Sequence, residues 1–169
     1  KIVSAMKDFT HPDSNGPELS DINNIVSNAV TISKNEWKYV AEVNTCLTEE
    51  ALNITCLPGS LLQVIINMLV NSAHAIEERQ KNDNSPGHIN ITTSKDEKYA
   101  IVKISDNGNG IPESITNKIF DPFFTTKEVG KGTGQGLAIT HDIVINKHKG
   151  KIDLETVHGK GTTFTLWLP

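Results

Sequence analysis

Two glycine-rich turns constrain this chain more than any other feature, because each marks a place where the backbone must reverse at the end of a regular element. Asp106-Asn107-Gly108-Asn109-Gly110 follows the apolar run 100–105 and closes a strand, whereas Gly130-Lys131-Gly132-Thr133-Gly134-Gln135-Gly136-Leu137 opens a helix. Glycine reaches backbone conformations closed to other residues, so both strings let the chain pass close to whatever lies beside it. A strongly periodic helical segment, from about residue 59 to 80, precedes them. Its Leu61, Leu62, Ile65, Met68, Leu69, Ala73 and Ile76 form a core stripe, while Gln63, Asn67, Asn71 and His74 share a second face.

The rest of the chain supplies a frame around these pieces. Ser20 or Asp21 is placed to cap a helix whose Ile22, Ile25, Val26, Ala29, Val30 and Ile32 or Ser33 form one apolar face. Strand-like runs follow at 39–47, 52–56, 88–94, 99–105, 151–157 and 162–168, the last four as two hairpins. Residues 107–133 read as a long irregular stretch with one short helical piece near 112–119, and a helix is predicted from about 134 to 147. This order predicts an α+β fold, a two-layer sandwich with a mixed, mostly antiparallel sheet covered on one face by helices. Ile2, Met6 and Phe9 recur at helical spacing ahead of His11-Pro12 and a turn-rich linker, so the domain boundary is expected near residue 18. Residues 1–17 then form the end of a preceding helix and a linker, and 18–169 one domain.

Composition removes several classes of function. The net charge of -4, with no basic run interleaved with aromatics, argues against a nucleic-acid partner. Apolar runs of four or five residues fall well short of the roughly 20 that cross a bilayer, and no signal peptide opens the chain, so a cytoplasmic location is expected. Cys46 and Cys56 have no second Cys or His at metal-ligand spacing and read as buried, reduced thiols. The histidines share no metal-binding spacing either, and most are expected at the surface.

Three groups carry chemistry. An uncharged Asn among aliphatic residues can offer its carbonyl oxygen to a hard cation that also holds phosphates, without repelling them as a carboxylate would; a merely solvated polar face is the other reading. Asp106, at a strand end beside Gly108 and Gly110, can accept a hydrogen bond from an exocyclic amine, or simply make a turn. The amides of Gly134, Gln135, Gly136 and Leu137, at a helix start, are expected to be unpaired donors aimed at an anion, with Lys127 and Lys131 adding charge. Together these groups suit ATP.

Their order along the chain resembles the catalytic, ATP-binding domain of sensor histidine kinases, in the GHKL superfamily with the Bergerat nucleotide fold. Asn67-Met68-Leu69-Val70-Asn71 matches the N box, Asp106-Asn107-Gly108-Asn109-Gly110 the first G box, and Asp121-Pro122-Phe123-Phe124-Thr125-Thr126-Lys127 the F box. Gly132-Thr133-Gly134-Gln135-Gly136-Leu137 matches the second G box, and Gly159-Lys160-Gly161-Thr162-Thr163-Phe164 a final glycine box. The resemblance implies that Asn71 coordinates Mg2+, that Asn67 and His74 line the phosphates, and that Asp106 binds the adenine amino group with support from Thr162. It places Gly108, Gly110 and Ile111 around the base, and Phe123, Phe124 and Lys127 in a lid over the nucleotide. The second G box, with Lys131 before it, would complete the site. Ser72 stands where the family usually has alanine, a change expected to matter little.

The implied reaction is transfer of the γ-phosphoryl group to a histidine on a dimerisation helix hairpin, whose end the leader 1–17 resembles. His11 lacks the acidic neighbour of the family's phosphoacceptor. Implied partners are those helices and the receiver domain of a response regulator, in a homodimeric parent expected to be anchored to the inner membrane, with the domain by itself expected to be a monomer. Superfamily ATPases carry a glutamate one turn before the Mg2+ asparagine, where this chain has Asn67, and an amide is no general base near neutral pH. Kinase chemistry is therefore favoured over a GHKL-type ATPase, a non-catalytic nucleotide-binding regulatory module, or a serine kinase of the superfamily.

Overall fold

The computed structural model describes residues 16–127 and 132–169; the leader positions Ile2, Met6, Phe9 and His11, and Gly130 and Lys131 of the second glycine turn, lie outside them. A short strand, β1 (Glu18–Asp21), runs into helix α1 (Ile22–Ile32), one turn α2 (Lys34–Trp37), strands β2 (Ala41–Cys46) and β3 (Asn53–Cys56), and the long helix α3 (Pro58–Gln80). Strands β4 (Gly87–Lys95) and β5 (Ala100–Asp106) form a hairpin; a 3-10 turn (Glu113–Ile115), helix α4 (Gly136–His141) and the closing hairpin β6 (Lys151–Val157) and β7 (Gly161–Leu168) complete the order.

The main sheet has the order β2-β4-β5-β7-β6, parallel between β2 and β4 and antiparallel elsewhere. Period-two burial decides which face is covered. In β4 the positions Gly87, Ile89, Ile91 and Thr93 are buried, while His88, Asn90, Thr92 and Ser94 are exposed. Helices α1 and α3 lie on the buried face, and Val26, Val64, Leu69, Ile76, Ile89, Val102 and Leu166 meet there with no exposed surface. The two-layer α+β class expected from the sequence is the one observed. Each such aliphatic side chain contributes about 1.5–3 kcal/mol on burial, which makes this interface the dominant source of stability.

Asp21 is the cap that starts α1, its Oδ1 accepting the N–H groups of Asn23 and Leu52, each at 3.0 Å. That second bond ties the helix start to the chain ahead of β3. Strands β1 and β3 form a separate antiparallel pair, so Cys46 on β2 and Cys56 on β3 sit in different sheets, the first exposed and the second buried. By length and apolar content α3 could cross a membrane, with a mean hydropathy of 1.3 over its most apolar window. It is instead a core helix whose one face packs on the sheet and whose other carries the asparagines.

Two features depart from the sequence reading. The helix expected over residues 134–147 is α-helical only through His141 and continues as a π-helical segment, Asp142–Lys147, that ends at Lys149, which has φ 55°, and Gly150. The His148 N–H reaches back five residues to the Ile143 carbonyl at 3.0 Å, and the ring Nδ1 approaches the same oxygen at 2.8 Å. A side chain that competes for a helical carbonyl beside the β-branched run Ile143, Val144 and Ile145 favours the wider turn. Nor is His148 a surface residue. It is 9% exposed, and its Nε2 accepts the N–H of Leu57, the residue that caps α3, at 3.0 Å.

Candidate functional site

Helix α3 joins three distant loops through three of its own side chains. Asn67, 9% exposed, donates from Nδ2 to the Gly136 carbonyl at 3.2 Å, where α4 begins. Ser72 Oγ donates to Asp106 Oδ2 at 2.9 Å, at the end of β5. His74 Nδ1 lies 2.6 Å from Lys127 Nζ, in the loop after the F-box phenylalanines. Residues 67, 72 and 74 lie within two turns, so helical geometry alone sets the spacing of the three attachments.

Asp106 stands opposite Thr162 in the β5–β7 ladder, beneath α3. Burial pushes its carboxyl above the ordinary range, against the opposing pull of the Gly108 N–H, the Ser72 hydroxyl and the Thr162 backbone amide. The Gly108 N–H reaches Oδ1 at 2.9 Å. With Gly108 on Oδ1, Ser72 on Oδ2 and the Thr162 amide as a third donor, the roughly four acceptor positions of the carboxylate leave room for one more. Behind it, Thr156 Oγ1 accepts the Ile111 N–H at 2.9 Å, lies 3.0 Å from Thr162 Oγ1, and donates to the Gly161 carbonyl at 3.1 Å. This threonine pair holds Ile111, after the first glycine turn, against the closing hairpin. Asn109 N–H bonds the Ala75 carbonyl of α3 at 3.2 Å, which brings the same turn onto the helix.

The turn conformation depends on Gly110. Its φ is 68°, and a Cβ there would fall 2.2 Å from the Val157 carbonyl oxygen. A left-handed conformation costs a non-glycine residue about 1–2 kcal/mol before any clash. Gly110→Ala is expected to lower stability by at least that amount, read as a fall in the denaturant midpoint at unchanged slope. Gly134 does the same for the second turn. With φ 64° it lies flat on Phe123, whose carbonyl carbon would be 2.5 Å from a Cβ at 134. Phe123 itself has φ 65° and is exposed, while Phe124 turns inward against the core.

The start of α4 differs in detail from the expected row of unpaired amides. The Gln135 N–H donates to Thr133 Oγ1 at 3.3 Å, and the Gln135 carbonyl accepts the Ile139 N–H. Gly136 and Leu137 open the helix, with Leu137 partly buried against the core. Gly132 sits against Lys127 and Thr125, so the F-box loop and the second G box are in contact. Lys131 lies outside the described residues.

Among the described residues no group of three His, Cys, Asp or Glu side chains is placed to hold a metal ion. A cation at this face would take its ligands from an amide oxygen and from the phosphates it accompanies, as Mg2+ does. Asn71 fits that need: it is half-buried, one turn beyond Asn67, and no hydrogen bond engages its carboxamide among the described residues. A cavity of about 270 Å³ is lined by Asp106, Thr156, Gly161 and Thr162 among others, but by no residue of α3. Ligand sites typically span about 300–1,000 Å³, so this hollow lies at the lower edge of that range.

Sequence reasoning missed Ser72 as a participant. Its identity departs from the alanine the family usually has beside Asn71, but the bond to Asp106 depends on how β5 lies under α3, which no local pattern reports. Val64 is likewise fully buried and belongs to the core stripe, whereas Leu62 is only partly covered.

The sequence model of the family described as histidine kinase-, DNA gyrase B-, and HSP90-like ATPase matches residues 57–169. Sensor histidine kinase ZraS of Escherichia coli (strain K12) is 31% identical over 170 residues, covering 100% of this chain and 34% of ZraS. Signal transduction histidine-protein kinase AtoS of the same strain is 34% identical over 175 residues, covering 100% of this chain and 26% of AtoS. The catalytic domain of histidine kinase ThkA, solved in a nucleotide-free form, superposes with a TM-score of 0.74 at 28% identity, over 90% of this chain and 95% of that one. The chain spans about a third of the length of ZraS and about a quarter of AtoS.

Proposed function

This chain belongs to the histidine kinase-, DNA gyrase B- and HSP90-like ATPase family of the GHKL superfamily, and we propose that residues 18–169 bind Mg-ATP and pass its γ-phosphoryl group to a histidine on a partner helix hairpin. In this reading Asp106 accepts a hydrogen bond from the adenine amino group. Gly108, Gly110 and Ile111 shape the pocket for the base, and Thr162 supports Asp106 from the adjacent strand. Asn71 supplies the oxygen ligand for Mg2+, which neutralises phosphate charge when bound. Asn67, His74, Lys127, Lys131 and the backbone from Gly132 to Leu137 surround the phosphates, and Phe124 anchors the loop that covers them.

The carrying observation is the tethering of all three loops to α3 through Asn67, Ser72 and His74. It supports a site whose parts are held in register before ligand arrives, which suits phosphoryl transfer, where the protein chiefly positions the reactants and stabilises charge. The amide at position 67 supports transfer over hydrolysis. Its Nδ2 is committed to the Gly136 carbonyl, and no carboxylate takes the place of a base one turn before Asn71. The phosphoacceptor hairpin and a response-regulator receiver domain are the proposed partners, in a homodimeric parent that keeps this domain in the cytosol.

The test is the fate of label from γ-labelled ATP when the chain, with Mg2+, is mixed with the separately produced helix hairpin of its parent. Acid-labile, base-stable label on the hairpin is expected. Label appearing only as inorganic phosphate would overturn transfer in favour of hydrolysis.

A further inference from the structure

The contact between His74 and Lys127 joins two groups that are both cationic when protonated, at a separation of 2.6 Å. An ammonium has only donors, so His74 Nδ1 must accept, which requires a neutral imidazole with its proton on Nε2. Both side chains are half-buried between α3 and the loop after the F box, where a second positive charge would be repelled at short range and poorly solvated.

We propose that His74 and Lys127 form a phosphate-responsive proton site: empty, the pair carries one positive charge on Lys127, and when a polyphosphate enters beside it His74 takes a proton from solvent. This rests on the nucleotide-binding reading of the same face. The proton adds to Nδ1, the lone pair that accepted from Lys127. The hydrogen bond between the two then breaks, and both become donors to the incoming anion. The empty pair thus occupies its own donors, and the ligand releases them while raising the local charge from one to two.

The surroundings set the balance. Burial lowers the His74 pKa below its ordinary 6.5, and the charge of Lys127 lowers it further, while Glu77 on α3 and Glu36 on α2 draw it back up. Burial alone pushes Lys127 down. An anion arriving beside the pair adds to the pull of the two carboxylates and moves the His74 pKa upward. Nucleotide affinity accordingly rises as pH falls, between the pKa of His74 in the complex and its lower pKa in the free protein, by up to about tenfold per pH unit.

The deciding experiment is calorimetry of Mg-ATP binding to the full chain near neutral pH, in two buffers of unlike ionisation enthalpy, for wild type, His74→Gln and Lys127→Met. Protons exchanged by the nucleotide itself are common to all three and cancel in the comparison. Wild type is expected to take up a larger fraction of a proton than His74→Gln. Lys127→Met removes a positive charge beside His74 in the empty and the bound state alike, so its proton uptake is expected to peak at a higher pH than that of wild type. Equal proton counts in wild type and His74→Gln, with binding intact, would overturn the proton site and leave the nucleotide reading standing. Absence of any nucleotide binding by the folded wild-type chain would overturn both.

Discussion

Replacing Asn71 with alanine is expected to abolish the Mg2+ dependence of ATP binding and to lower phosphoryl transfer to the hairpin by at least about 100-fold. A metal ion at a developing phosphoryl charge stabilises the transition state by several kcal/mol, and each 1.4 kcal/mol is a factor of ten. The described residues offer no replacement ligand. Asn67 is tied to the Gly136 carbonyl, Ser72 to Asp106 and His74 to Lys127, and no acidic cluster lies nearby. The fold is expected to survive, because Asn71 lies on the half-buried face of α3 rather than on the core stripe. The check is to titrate ATP with Mg2+ and with chelator: wild type responds to the metal and the variant does not. A variant that still binds more tightly with Mg2+ would remove Asn71 from the metal site.

Asp106→Asn is expected to act in opposite directions on binding and stability. Hydrogen bonds to a charged group are worth about 1.5–3 kcal/mol, so ATP and ADP should both weaken by about 10–100-fold, since the contact is to the base and not to the γ-phosphate. Stability should rise. Burial raises the Asp106 pKa in the folded state, so the folded chain holds that proton more tightly than the unfolded chain. The ionised form therefore costs stability above the raised pKa, and the cost is relieved as pH falls through it. Asparagine keeps the shape and removes the charge at every pH. Its melting temperature at neutral pH should exceed that of wild type by roughly 2–4 °C for each kcal/mol relieved. The gain should vanish in acid, where wild-type Asp106 is protonated. Paired thermal scans and calorimetry test both halves; loss of ATP binding with ADP binding unchanged would contradict contact with the base.

The boundaries of α1 and α3 and the two hairpins were legible because each has a strong local cause: Asp21 as a cap, Pro58 at a helix start, and period-two burial in β4 and β5. The shared helix face of Asn67 and Asn71 and the turns after Asp106 and before α4 were legible from spacing and glycine content alone, while what those residues bind stays with the proposal. What escaped was everything decided by contact between elements. The π-helical turn depends on His148 competing for a carbonyl, and the burial of His148 depends on where Leu57 begins α3. Ser72 acquires its role only once β5 passes beneath it. Strand β1 is four residues long, and its pairing with β3 follows from long-range register rather than from its own sequence.

The two bonds at either end of the α4 segment have a mechanical consequence. Asn67 pins its first residue to the middle of α3 through the Gly136 carbonyl, and His148 pins the turn after its last to the start of α3 through Leu57. A beam fixed at both supports cannot swing. Of the described residues between the 3-10 turn and Gly134, Lys127 carries the side-chain bond to α3, while Ile119, Phe120 and Phe124 pack against the core. With both ends held to one helix, the α4 segment keeps its distance from Asn67 and from the start of α3 together.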